Sequence, residues 1–212
     1  MKTGILFDLD GTLLNTLEDL KDSVNHTLVQ YGCPERTLEQ IRNFVGNGAR
    51  MLIKRALPEG TDEETVDRVL KDYQAYYATH SQVKTGPYEG IMDALKAIGE
   101  KYPIAIVSNK HDPAVQPLCA EYFPGIYALG ETPDCPRKPA PDMLYKAMKA
   151  IGVDKCIYVG DSEVDVITAR NTGAKCLSVL WGFRDRADME AEGGQYFCDH
   201  PSQLLSKLEE MM

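Results

Sequence analysis

A short apolar run near the start of the chain, Ile5-Leu6-Phe7, breaks off into Asp8-Leu9-Asp10-Gly11-Thr12-Leu13. An apolar run that short reads as a buried strand. Its end delivers two carboxylates, spaced i and i+2, to one place. Asp-Gly then supplies turn chemistry. In open α/β sheets, ligands bind beyond the carboxyl ends of strands. Two acids at such a site are costly unless a cation or a reaction uses them. The same residues also suit a bland acidic turn, so the rest of the chain has to decide between the two.

After this strand the pattern is helical as far as Val83. Leu17, Leu20, Val24, Leu28 and Tyr31 mark one helix face, which stops at Gly32. Thr37-Leu38-Glu39-Gln40 has the form of a capping box. Asn47 is expected to cap a third helix that ends before Pro58, and Thr61-Asp62-Glu63-Glu64 is expected to form another box. The fourth helix aligns Val66, Val69, Leu70, Tyr73, Tyr76, Tyr77 and His80 on a broad face. Helices in succession with no strand between them predict a small helical domain.

From Gly86-Pro87 onward, helices and strands alternate. Strands are expected at 103–107, 126–129, 157–159, 176–180 and, at an edge, 195–198. Helices are expected around 91–98, after Pro113, from Pro141 to Gly152, at 164–172 and at 202–212. That alternation predicts a doubly wound parallel, Rossmann-like α/β sheet. The expected boundaries are a sheet domain of 1–15 with 84–212, and a helical insert of 16–83, with linkers near Asn15 and Lys84.

The chain has 212 residues and a formal charge of -9, which speaks against a nucleic-acid partner. An acidic chain that handles phosphates must gather positive charge locally. The six cysteines make no Cys-x-x-Cys pair and show no zinc spacing. Cys156 and Cys176 sit in apolar runs and read as core residues. No run is long enough to span a bilayer, and the chain enters a strand at once, so neither membrane nor signal peptide is expected. A cytoplasmic location follows as the expectation. Monomer or dimer is not readable.

Three further groups fall at strand ends. Ser108-Asn109-Lys110 follows the second strong strand, where a hydroxyl and an amide can donate to an anion, although both also favour turns. Arg137-Lys138-Pro139-Ala140-Pro141-Asp142 precedes a helix, with prolines that stiffen the approach of Lys138. Gly160-Asp161-Ser162-Glu163-Val164-Asp165 follows another strand. Asp161 and Asp165 share a face if a helix begins there. Glu163 and Asp165 also suit a helix dipole. Asp161 fits that account less well, since it sits on the strand end beside the expected place of Asp8.

Taken in order, Asp8-x-Asp10, Ser108, Lys138 and Gly160-Asp161-Ser162-x-x-Asp165 resemble the four motifs of the haloacid dehalogenase superfamily, across essentially the whole chain. The insert falls where that superfamily carries a helical cap. Phe44-Val45-Gly46-Asn47-Gly48, Leu52 and Arg55-Ala56-Leu57 resemble the cap segment of its phosphoglycolate phosphatases. Asn15 stands where those relatives usually have Asp.

The resemblance implies phosphoryl transfer through an aspartyl-phosphate. Asp8 is then the nucleophile and Asp10 the acid/base. Magnesium takes the Asp8 carboxylate, the Asp10 carbonyl and Asp161. Ser162 and Asp165 support that shell from outside. Ser108 and Lys138 hold phosphoryl oxygens. Gly11 and Thr12 backbone groups, Asn109 and Lys110 complete the substrate site, and Gly48 and Arg50 meet the leaving group from the insert. A small phosphorylated metabolite, 2-phosphoglycolate foremost, is the expected substrate. Pyrophosphate, nucleotides and a phosphosugar mutase reaction remain as alternatives. A haloalkanoate dehalogenase has no need of Asp10 or Asp161, and a non-catalytic relative should have lost a motif.

Overall fold

The computed structural model describes residues 1–212. Strand β1 (Thr3–Phe7) is the apolar run. Short β2 (Leu14–Asn15) and β3 (Gly86–Pro87) form a separate two-stranded sheet. The remaining strands are β4 (Ile104–His111), β5 (Tyr127–Glu131), β6 (Lys155–Gly160), β7 (Lys175–Val179) and β8 (Tyr196–Cys198). With β1 they form one six-stranded sheet in the order β5-β4-β1-β6-β7-β8. Every ladder in it is parallel. The chain visits strands outward from β1 on one side, crosses over, and then moves outward on the other. The strand order therefore reverses beside β1, which is where such sheets bind ligands.

Alternation along the strands builds a core on both faces. Ile5, Phe7, Ile106, Ile157 and Val159 pack with Ile91, Leu95 and Ile98 of α5 (Ile91–Gly99), Leu118 of α6 (Asp112–Tyr122) and Leu208 of α10 (Leu204–Glu210). Leu6, Ala105, Val107, Cys156 and Tyr158 face Leu144 and Ala147 of α7 (Asp142–Ile151), Val166 of α8 (Glu163–Thr172) and Met189 of α9 (Arg186–Ala191). Gly152 ends α7 at φ 68°, a backbone that favours glycine. Helix α9, opened by an Asp185/Asp188 capping box, has no counterpart among the sequence expectations. All six cysteines are free, with five buried and Cys33 half-buried.

Contacts divide the chain into two units, Met1–Asn15 with Pro87–Met212, and Thr16–Gly86. The second unit holds α1 (Leu17–Gln30), α2 (Leu38–Phe44), α3 (Gly48–Ala56) and α4 (Glu63–His80). The Thr37/Gln40 capping box is present. Two other expected caps differ. Asn47 occupies the N-cap of α3 without capping it, because its Oδ1 accepts from Arg55 Nη2 at 2.9 Å. Helix α4 starts on Asp62, whose carboxylate accepts from Thr65 N at 2.8 Å, while the Thr61 hydroxyl donates back to Pro58 O. The stronger acceptor takes the cap and shifts the start by one residue. No helix is long and apolar enough to cross a membrane.

Candidate active site

Two residues beyond Leu6, Asp8 leaves the sheet at the end of β1, tied to β6 by its own N–H on Val159 O at 2.8 Å. Asp161 follows β6 directly, and Asp165 lies in the first turn of α8. Carboxylate oxygens of Asp8, Asp161 and Asp165 come within 4.8 Å of one another, and all three residues are buried. The strand-order reversal beside β1 thus brings together acids that are far apart in sequence.

One cation enters this cluster. Lys138 Nζ lies 2.9 Å from Asp8 Oδ1, 2.8 Å from Asp165 Oδ1 and 2.7 Å from Tyr158 Oη. An ammonium has three donors, and these contacts use all of them. The Tyr158 phenol in turn donates to Val107 O. Asn109 clamps the backbone on either side of that lysine, with Nδ2 donating to Lys138 O at 3.0 Å and Oδ1 accepting from Lys138 N at 2.9 Å. Burial acts to lower the Lys138 pKa, but Asp165 and Asp8 outweigh it and hold the ammonium above its ordinary value.

The acids are pre-set just as firmly. Asp165 Oδ2 accepts from Ser162 N and Oγ, at 3.1 and 2.6 Å. Asp161 accepts from Thr12 Oγ1 on Oδ1 and from Phe183 N on Oδ2, at 3.1 and 2.7 Å. Asp8 takes both of its contacts on Oδ1, from Leu9 N and Lys138, which leaves Oδ2 without a protein partner. Burial pushes the Asp8 carboxyl well above its usual value, with Lys138 pulling it down and Asp165 and Asp161 pushing it up. Asp161 is pushed up to about 7, first by burial and then by Asp165. Three carboxylates face one ammonium, so full ionisation leaves two negative charges uncompensated. Clustered hard oxygen donors with that excess fit a divalent cation.

Several expected site residues take other places. Ser108, Asn109 and Lys110 belong to the extended end of β4, not to a turn, and the register shifts between Val107 and His111. The buried Ser108 Oγ accepts from Lys110 N at 3.1 Å, which leaves its proton for another acceptor. Asn109 positions Lys138. Asp10 lies outside the acid cluster, and its Oδ2 pairs with Lys110 Nζ at 3.0 Å.

Three N–H groups of the expected backbone cradle have partners within the chain. Leu9 N turns to Asp8, Gly11 N to Leu14 O and Thr12 N to Leu9 O. Gly11 and Thr12 instead shape Asp161. Thr12 donates to it, and at Gly11 (φ 83°) a Cβ would collide with its carboxylate. In the helical unit, Arg50 reaches Glu63 at 2.5 Å and Asp67 at 3.0 Å, and Arg55 binds Phe44 O and Asn47. Arg50 and Gly48 therefore begin a helix whose cation is already shared by two carboxylates.

Sequence reasoning missed Tyr158, Gly182 and Phe183. A phenol inside an apolar strand was a usable signal, since a buried hydroxyl needs a partner. Gly182, where a Cβ would strike Asp161, carried none.

The profile of the haloacid dehalogenase-like hydrolases matches residues 5–179. A phosphoglycolate phosphatase of Pseudomonas fluorescens is 32% identical over 215 residues, covering 95% of this chain and 78% of its own. Phosphoglycolate phosphatase 1 of Pseudomonas aeruginosa is also 32% identical, with the same coverage. A solved structure from Lactobacillus delbrueckii subsp. bulgaricus, provisionally assigned as a phosphoglycolate phosphatase, superimposes with a TM-score of 0.89 at 39% identity, covering 96% of this chain and 97% of that one. The chain belongs to the haloacid dehalogenase-like hydrolase family, as a phosphoric monoester hydrolase resembling phosphoglycolate phosphatases.

Proposed function

We propose that this protein is a magnesium-dependent phosphatase that hydrolyses 2-phosphoglycolate through an aspartyl-phosphate on Asp8. The observation that carries this reading is the asymmetry of Asp8. Its Oδ1 is held by Leu9 N and Lys138, and its Oδ2 is left for attack. The substrate follows from the names of the relatives.

Asp8 Oδ2 forms a bond to phosphorus as the ester P–O bond breaks, and Asp10 gives a proton to the departing oxygen. Asp10 then takes a proton from water as that water attacks phosphorus, which releases phosphate and restores the Asp8 carboxylate. Lys138 keeps Asp8 aligned and stabilises negative charge as it shifts between Asp8 and the phosphoryl oxygens. The Ser108 hydroxyl proton is available to one of those oxygens. Asp8, the Asp10 carbonyl and Asp161 would hold magnesium, which when bound would supply charge neutralisation for the phosphoryl group. Asp165 and Ser162 act indirectly, through Lys138 and the start of α8. Six free thiols suit a reducing cytoplasm.

The test is phosphate release from 2-phosphoglycolate beside nucleoside monophosphates, sugar phosphates and pyrophosphate, with magnesium and after chelation. 2-Phosphoglycolate should give the highest kcat/KM, and chelation should abolish turnover. Activity that survives exhaustive chelation, or sugar-phosphate isomerisation without phosphate release, overturns the proposal.

A further inference from the structure

Asp161 is fixed by donors from two loops that are remote in sequence. One is the turn after β1, which supplies Thr12 Oγ1 to Oδ1. The other is the loop after β7, which supplies Phe183 N to Oδ2. Strand β7 runs parallel to β6, so its carboxyl end opens beside Asp161. An ionised carboxylate has about four acceptor sites. The two donors take one on each oxygen, which sets the plane of the group and leaves each oxygen able to meet a cation.

The loop after β7 comes as near as a backbone can. Gly182 does not have a positive φ, so its conformation does not demand glycine. A Cβ there would nevertheless collide with the Asp161 side chain and with Gly11 O. Space, and not backbone freedom, requires the glycine.

Trp181 closes this arrangement. An indole N–H can only donate, and Trp181 Nε1 donates to Thr12 O at 3.0 Å, across 169 positions of sequence. The ring packs against the core cluster that contains Leu9 and Leu13. The residues that hold Asp161 are thereby tied to each other. Thr12 gives its hydroxyl to Asp161 while its carbonyl accepts from Trp181, and Phe183 follows Trp181 two residues on. The contacts form a closed ring, in which Asp161 cannot turn unless one of them opens.

We infer that Trp181 is a positioning residue for the cation: by fixing Thr12 it keeps Asp161 in the orientation that magnesium requires. The inference rests on the magnesium reading proposed above. Magnesium demands a near-ideal octahedron, whereas calcium accepts looser geometry. A carboxylate of fixed orientation therefore favours magnesium over calcium, and loosening it costs magnesium more. Trp181 takes no chemical step. A purely structural Trp181 would contribute to the stability of the fold and leave the choice of ion unaffected.

The experiment is calorimetric titration of the chelator-treated full chain with magnesium and, separately, with calcium. Trp181→Phe keeps an aromatic ring in the packing and loses the donor. Its Kd for magnesium should rise about three- to tenfold, as for one lost hydrogen bond, and its Kd for calcium by less. Trp181→Leu, which packs differently but lacks the same donor, should show the same change of preference. Thr12→Val, which removes a direct partner of Asp161, should cost about tenfold or more in magnesium affinity. The double variant Trp181→Phe, Thr12→Val should lose less than the product of the two single losses, because one residue acts through the other. Unchanged magnesium affinity in both Trp181 variants overturns the inference. So does an equal loss for both ions, or full additivity in the double variant. A wild type that binds no magnesium overturns the magnesium reading and this inference with it, whereas a wild type that binds it alongside unaffected variants overturns the inference alone.

Discussion

Lys138 and Arg50 are both cations fanned between two carboxylates, one in the sheet unit and one in the helical unit. The Lys138 side chain is 2% exposed, and its partners Asp165 and Asp8 are 0% and 12% exposed. The Arg50 side chain is 39% exposed, and Glu63 and Asp67 are 59% and 63% exposed. The distances are similar, but the energetics are not. Water solvates the charges of the Arg50 fan whether or not they meet, so the pairs add little. Around Lys138 the charges have lost their water, and removing one partner strands the others. The comparison teaches that geometry alone does not mark a site. Burial of an unbalanced charge set does, because nothing in folding favours it.

The strongest way to break the comparison is Asp8→Asn. Turnover should fall by more than about 10³-fold, in line with the loss of a nucleophile, and labelling by beryllium fluoride should disappear. Glu63→Gln, the corresponding change at the exposed fan, should leave phosphate release as it was. Near-normal turnover in Asp8→Asn removes the nucleophile assignment.

Lys138→Met comes next. Taking the ammonium out of a buried set should cost about 3–5 kcal/mol of stability, read by denaturant unfolding, together with most of the activity. Arg50→Met should leave the unfolding midpoint where it was. Equal shifts in the two variants would dissolve the distinction between the clusters.

A smaller effect appears with pH in chelated protein. Burial, and then Asp165, push the Asp161 carboxyl up to about 7 from an ordinary value of 3.8. Between those values the folded chain retains a proton that the unfolded chain has released. Stability should therefore fall as pH rises through that window, and level off above it. Melting temperatures from pH 5 to pH 8 should decline, with a shallower slope in Asp161→Asn. Magnesium should recover stability most at the alkaline end. A melting curve that rises over this range in chelator contradicts the sign.

The smallest effect is expected from Arg50→Ala. Melting should not change, and kcat/KM for 2-phosphoglycolate should stay within about twofold, as for a surface pair. A KM that rises for 2-phosphoglycolate but not for p-nitrophenyl phosphate would give Arg50 a part in reading the substrate carboxylate.

How much was legible differs from residue to residue. The Thr37/Gln40 box and the Gly152 stop could be read because caps depend on neighbours three or four residues away. Asn47 could not, since Arg55, about two helical turns along, draws its oxygen away. Ser108-Asn109-Lys110 favours turns by composition, yet β4 continues through it, with β5 paired on either side at Val107 and His111 and the register shifted between them. Pairing of the flanking residues overrode local preference. Thr12 and Asn109 were expected at the substrate because they sit in motifs. The structure assigns their side chains to Asp161 and Lys138.

By itself the sequence determined the strand-and-helix alternation, the apolar strands covered on both faces, and the acids that stand at strand ends. These follow from periodicity and local chemistry, which need no distant contact. Only the tertiary structure decided which charges meet. Parallel pairing of β1 with β6 sets Asp8 beside Asp161, the approach to α7 brings in Lys138, and the end of β4 carries Lys110 to Asp10. Those partners lie about a hundred residues or more apart in the chain. No local preference encodes such a distance, so the pairing is set by strand order and by the cost of leaving buried charge unmet.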